Sequence, residues 1–369
     1  MNKTKKILFK LNYLYYLPGL EPIIEIFSSD KSYDVAILLS HDFDYKFGIF
    51  RRKKNKEYLN KFINKNIRIA QKDERFDVVF VSDVVDSRNY PNSLICIVYH
   101  GPIFNKSVTI RNFRKHKDDK YLIFVESQYA VDRINEADCL GSSKTEIVGL
   151  PKMDPIINNK FDKNKILTQL GLNKNKNTVL YAPTYKPTSL YELKDEIFNA
   201  TIDYNLIIKL HHYSWMGKYA NRNQSRIIKK RIAQYDHAVL IPRDSYNIIP
   251  LYAVADTLIS EASGAISEFL ITDKVGIIYD LNDSKLKHTN DEPLLLHDNK
   301  YLSKSFIHIN SPIQLKDAII DALNPTQDRI ERVHQDKKKY FDICDGSASL
   351  RIKKIIDDIL SKDVNTNTV

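Results

Sequence analysis

Apolar residues in this chain come in short runs that stop abruptly at polar or glycine-containing clusters, with helix-period stretches between them. Residues 257–279, TLISEASGAISEFLITDKVGIIY, show the pattern most clearly. Thr257-Leu258-Ile259 reads as a buried strand and 260–264 as a tight polar loop. Ala265, Ile266, Phe269 and Leu270 then recur with helical spacing, and 275–279 forms a second strand. Strand, loop, helix and strand make the βαβ unit from which parallel sheets are built. Small residues in the loop leave the first helical N–H groups uncovered. With the positive end of the helix dipole they suit a phosphate. The plainer reading is that Ser263 caps the helix.

The same alternation runs through the rest. Residues 7–12, 35–39, 76–81, 94–99 and 122–125 read as strands, with a helix over 20–27 entered at Pro18-Gly19. The 94–99 strand ends at His100-Gly101-Pro102. Within a polar, Lys/Asn-rich stretch from Pro155 to Asn177, Ile156 to Asp162 reads as an interdomain crossing and Lys163 to Leu172 as a helix; strands are then predicted at 178–181, 204–210 and 238–241. They end at Ala182-Pro183-Thr184-Tyr185-Lys186, at His211-His212 and at Pro242-Arg243. Ligands of open α/β sheets bind beyond strand C-termini, so these clusters should converge on one crevice. Residues 345–360 form an amphipathic helix with Leu350, Ile352, Ile355, Ile356 and Ile359 on its apolar face, capped by Asp345 or Ser347.

Composition narrows the class. At 369 residues with 43% hydrophobic content, two cored domains fit better than one. A net charge of +10 favours anionic partners, but the lysines are scattered apart from Arg51-Arg52-Lys53-Lys54 and Lys337-Lys338-Lys339. Neither an aromatic-interleaved basic stripe nor a helix-turn-helix pattern is present, which argues against a nucleic-acid partner. Cys96, Cys139 and Cys344 lack metal-ligand spacing and read as thiols of a reducing compartment. No run is long enough for a spanning helix, and the first apolar run is too short for a signal peptide.

Six motifs in order carry a family resemblance: VYHGP (98–102), GLPKMDP (149–155), VLYAPTYK (179–186), IIKLHH (207–212), DTLISEASGAISEF (256–269) and DGSASLRI (345–352). Over residues 95–355 the chain resembles the CDP-glycerol glycerophosphotransferase family, the teichoic-acid and capsule polyol-phosphate primases and polymerases. It departs from the family at three places. Ser260-Glu261-Ala262-Ser263-Gly264 stands for Thr-Asp-Tyr-Ser-Ser, His212 for a proline and Pro102 for a threonine. The resemblance implies an α/β fold of glycosyltransferase-B type, two Rossmann-like domains facing a cleft. Residues 1–155 would be the acceptor side, 156–345 the nucleotide-donor side, and 346–369 a helix packing back on the first domain.

The implied reaction is attack by an acceptor hydroxyl on the β-phosphorus of a CDP-activated polyol phosphate, CDP-glycerol or CDP-ribitol, with CMP leaving. An alcohol needs a base near neutrality, and His100, followed by a glycine that lets ligand approach the backbone, is the candidate. His211 is placed to donate to the pyrophosphate or to departing CMP. Lys209 shares its strand face by alternation and His212 points away. Thr184, Tyr185, Lys186, Lys209, Glu261, Ser263 and Gly264 are the expected donor-phosphate site, with Arg243 and Glu268 at base and ribose. No cofactor or metal is required on this reading; Asp42-Phe43-Asp44 is the weak exception, an Asp-x-Asp after a strand. The acceptor is expected to be a lipid-linked or oligosaccharide hydroxyl. The protein is then cytoplasmic and peripheral at the inner face of the cell membrane, held by anionic headgroups. Two other classes are set against it: a nucleotide-sugar glycosyltransferase of the same architecture, and a basic nucleic-acid-binding protein.

Overall fold

The computed structural model describes residues 4–40, 43–46, 50–53, 67–71, 73–103, 107–215, 221–261, 263–281 and 301–366. Asp42, and Lys54 of the basic run, lie outside them. The first half carries β1 (Lys5–Leu11), β2 (Tyr33–Leu39), a hairpin of β3 (Phe43–Lys46) and β4 (Phe50–Lys53), β5 (Arg68–Ile69), β6 (Val78–Val81), β7 (Leu94–Val98), β8 (Leu122–Val125) and β9 (Lys144–Ile147). Apart from the hairpin these form one seven-stranded parallel sheet, ordered β5-β2-β1-β6-β7-β8-β9. The second half adds β10 (Thr178–Tyr181), β11 (Asn205–Ile208), β12 (Ala238–Leu240), β13 (Thr257–Ser260), β14 (Ile277–Tyr279) and β15 (Ile307–Ile309). These pair in parallel as β12-β11-β10-β13-β14-β15.

Both orders run outward from the first strand in one direction and then reverse, the doubly wound arrangement. The reversal falls between β1 and β6 in one sheet and between β10 and β13 in the other. The central strands β6, β7, β8, β10, β11 and β13 are buried or nearly so along their length, as strands covered on both faces must be. Their apolar runs carry no alternation for the same reason. The strands β5 and β15, two and three residues long, escape a reading based on period.

The last helix, Ala348–Thr366, returns to the first sheet. Ile352, Ile356 and Leu360 are buried in one cluster with Leu17, Leu20, Ile24 and Phe27 of the helix Leu17–Ser28. At roughly 1.5–3 kcal/mol per buried aliphatic side chain, those three hold it firmly. Its cap is not the local one the sequence suggests. Asp345 accepts from Ser347 N and pairs with Arg351. The helix N–H groups of Ala348 (3.2 Å) and Ser349 (2.8 Å) go instead to Asp154, which also takes the Ser349 hydroxyl at 2.7 Å. Arg351 donates to the Val148 carbonyl, and Asn158 to that of Gly346, whose φ of +73° suits glycine. The motifs around 149–155 and 345–352 are therefore one interlocked joint.

Candidate active site

The loop after β10 meets the end of β13 at the switch point, and a carboxylate joins them. Glu261 accepts from Thr184 N (2.7 Å), Ser189 N (2.5 Å) and Ser189 Oγ (2.5 Å). It is almost fully buried, and burial pushes its carboxyl up while the bonds from Ser189 and Thr184 pull it back. Glu261 thus folds the 182–190 loop rather than meeting phosphate, which an anion would repel. Thr184 is used up in the same way: its N–H goes to Glu261 and its hydroxyl to the Pro187 carbonyl. Lys186 is exposed at the loop's tip. Tyr185 stacks on His211 at 4.9 Å between centroids, and its carbonyl accepts from the buried Gln224 side chain at 2.7 Å.

Ser263 stands at the N-cap of the helix Gly264–Phe269 in an extended conformation, yet its side chain caps nothing. Its hydroxyl pairs with Ser260 Oγ at 3.0 Å, and Ser260 in turn donates to the Ala182 carbonyl. The helix is only six residues long, so its dipole adds little and the local N–H groups matter more. A Cβ placed on Gly264 would meet no protein atom within 4 Å, so that side of the turn is open.

At the end of β11 the chain leaves the strand at Lys209 and enters a one-turn 3-10 helix, His212–Ser214. Strand alternation stops there, and His212 does not point away: its ring lies 5.2 Å from Tyr15, beside that of His211 at 5.7 Å. His211 Nδ1 accepts the Tyr213 N–H at 3.1 Å, which places the ring proton on Nε2 and makes that atom a donor. Lys209 has no carboxylate in ion-pair range among the described residues, and burial lowers its amine to about 8. An anion bound there restores the higher value, so the complex holds more protons than the free enzyme. Donor affinity should accordingly be full below pH 8 and fall as pH rises through it. Titration of CDP-glycerol binding from pH 6.5 to 9.5 checks this; in Lys209→Met the affinity should be weaker and flat, and an unchanged pH slope would remove Lys209 from the site.

Across the cleft, His100 follows β7. Its Nδ1 sits 3.5 Å from the Ser82 carbonyl, and its ring stacks on Tyr16 at 4.3 Å with a 15° interplanar angle. A carbonyl only accepts, so the contact sets the proton on Nδ1 and makes Nε2 the basic atom. The two imidazoles thus have opposite polarity, and the ring of Tyr15 contacts both.

The two residues expected at base and ribose fare differently. Arg243 is half-buried beside Asp244 on a loop whose Tyr246 and Asn247 reach Glu21 of the first domain. Glu268 is buried, and both its oxygens are taken by Lys152 (2.8 and 2.9 Å), with Tyr252 adding a bond at 3.0 Å. In this structure Glu268 ties the two halves together instead of facing a ribose. Among the described residues no cluster of three potential metal ligands is present, and no helix is long and apolar enough to cross a membrane.

Residues 99–358 match the family model of CDP-glycerol:poly(glycerophosphate) glycerophosphotransferase. The chain belongs to this family. It is therefore a polyol-phosphate transferase by descent; no curated protein matches the sequence. Among solved structures, the wall teichoic acid polymerase TagF aligns over 98% of this chain and 90% of its own, with a TM-score of 0.69 and 17% identity. A variant of TagF soaked with CDPG aligns over the same shares with a TM-score of 0.67 and 15% identity. A UDP-N-acetylglucosamine 2-epimerase from Listeria monocytogenes covers 98% and 97%, with a TM-score of 0.61 at 13% identity. The transferase shares the fold of these proteins, two facing Rossmann-like units of glycosyltransferase-B type.

Sequence reasoning did not single out Tyr13, Tyr15, Tyr16, Tyr213, Gln224 or Lys152 as parts of this region. The tyrosine run directly after β1, at the carboxyl end of a central strand, was the available signal for the first three. Lys152 lies in the GLPKMDP motif, but nothing in the motif names its partner 116 residues away, and Gln224, 39 residues from Tyr185, had no signal.

Proposed function

We propose that the transferase moves glycerol phosphate from CDP-glycerol to a hydroxyl of a teichoic-acid-like or capsular acceptor. His100 is the base and His211 the donor to the leaving side. The observation that carries this is the opposed polarity of the two imidazoles: an acceptor at Nε2 of His100 and a donor at Nε2 of His211. As the acceptor oxygen bonds to the β-phosphorus, its proton passes to His100. The bond from phosphorus to the bridging oxygen breaks, and CMP departs with its developing charge met by the His211 N–H. Lys209 and the open N–H groups around Gly264 balance the pyrophosphate, while Glu261 and Gln224 hold the loop that carries Tyr185.

On this reading the acceptor is lipid-linked and the protein works at the inner face of the membrane, a place suited to its net charge of +10. The test is CMP release from CDP-glycerol and CDP-ribitol beside UDP release from UDP-sugars, with acceptor supplied in anionic or neutral vesicles. CMP from a CDP-polyol, faster with anionic vesicles at low salt, is expected. UDP release alone would replace the donor assignment, and indifference to vesicle charge would remove the membrane one.

A further inference from the structure

Tyr15 belongs to the one-turn helix Leu14–Tyr16 that follows β1, so it projects from the first domain. Its ring stands edge-on to His100, with centroids 5.8 Å apart and planes at 88°. It also lies 5.7 Å from His211, 5.2 Å from His212 and 6.1 Å from Tyr213, all on the second domain. Its ring also meets that of its neighbour Tyr16 edge-on, with centroids 4.6 Å apart. Tyr15 is half-buried.

We infer that Tyr15 is a positioning residue whose ring seals the space between the two imidazoles against water, so that an acceptor hydroxyl rather than water reaches the phosphorus. The inference rests on the assignment of His100 and His211 above. A base that activates an alcohol activates water as readily, since both lose one proton to the same nitrogen. Water attack would form the same bond to phosphorus and break the same bond to CMP, giving free glycerol phosphate in place of product. Selectivity for transfer therefore depends on what fills the volume beside the His100 imidazole. A flat apolar ring that touches both histidines excludes a water there while leaving its outer edge to the acceptor. Tyr15 keeps its proton, because burial raises its hydroxyl well above the usual range, so it serves as ring and neutral hydroxyl and not as a second base.

The measurement is CMP release from CDP-glycerol with and without a short synthetic glycerol-phosphate oligomer as acceptor, on Tyr15→Ala, Tyr15→Phe and His100→Ala. Tyr15→Ala should lose on the order of 100-fold in transfer, the scale of a misplaced reactant. Its acceptor-independent CMP release should stay at or above the wild-type level, so that the ratio of hydrolysis to transfer rises. Tyr15→Phe, which keeps the ring, should restore the wild-type ratio. His100→Ala should lose both activities together. If Tyr15→Ala loses both in parallel, or leaves the ratio unchanged, the seal is wrong while the base assignment stands. If His100→Ala keeps transfer, the base assignment itself fails. Should Tyr15→Ala not fold by thermal melt, Tyr15→Leu, which has bulk but no planar ring, carries the same test.

Discussion

Folded His100→Ala protein is expected to lose on the order of 100-fold or more in turnover, the usual scale of a positioned base, with CDP-glycerol affinity nearly unchanged. The reason lies in when each group acts. On the proposed reading His100 takes a proton only as the acceptor oxygen bonds to phosphorus, and a group that works only at the transition state affects rate, not ground-state binding. Its Nδ1 contact to the Ser82 carbonyl holds Nε2 ready for that moment. Gly264→Val should show the opposite pattern. The fold has room for the side chain, since a Cβ at Gly264 meets nothing within 4 Å, so the loss should fall on the ligand that needs the space. Isothermal titration with CDP-glycerol beside single-turnover rates separates the two. Near-normal turnover in His100→Ala would remove the base, and unaltered affinity in Gly264→Val would remove the phosphate turn.

Lys152→Met should destabilise the protein by about 3–5 kcal/mol, the cost of stranding a buried charge. Lys152 sits in the turn Pro151–Met153 that closes the first domain, and Glu268 in a helix of the second; both are nearly inaccessible. Removing the ammonium leaves a carboxylate with only Tyr252 as partner among the described residues. Lys152→Met combined with Glu268→Gln should recover most of the loss, because the amide is neutral and still accepts from Tyr252. Urea denaturation of the two variants decides it. An equal loss in both would mean that the lysine matters through packing and not through charge.

The hydrophobic pattern sufficed for the central strands of both sheets, though not for the short β5 and β15. A buried strand needs only a short apolar run, a covering helix needs a 3.6-residue period, and both are local properties of the chain. Thus 178–181 and 257–260 were legible almost to the residue. His100 and His211 follow strand ends in the two sheets, and the ring of Tyr15 meets both, in keeping with doubly wound sheets that collect their strand ends on one side. What each polar side chain does there was not legible. Glu261 and Thr184 look like phosphate ligands in sequence, and only the fold shows their oxygens and N–H groups spent on one another across 77 residues. Glu268, a helix residue one turn in, became an interdomain ion pair for the same reason.

His212 marks the boundary between the two kinds of information. Its direction was inferred from strand alternation, a rule that holds while φ and ψ stay extended, and the backbone turned into a 3-10 helix at that residue. The sequence by itself determined this protein's family, its two doubly wound units and the strand ends from which its chemistry projects, since those depend on short-range periodicity and motif order. The tertiary structure alone decided which ring nitrogen of His100 and of His211 faces a backbone partner, which carboxylates are already satisfied, and that Tyr15 meets both imidazoles. Those are set by partners distant in sequence, and a hydrogen bond or a ring contact is specified only when both of its members have been placed.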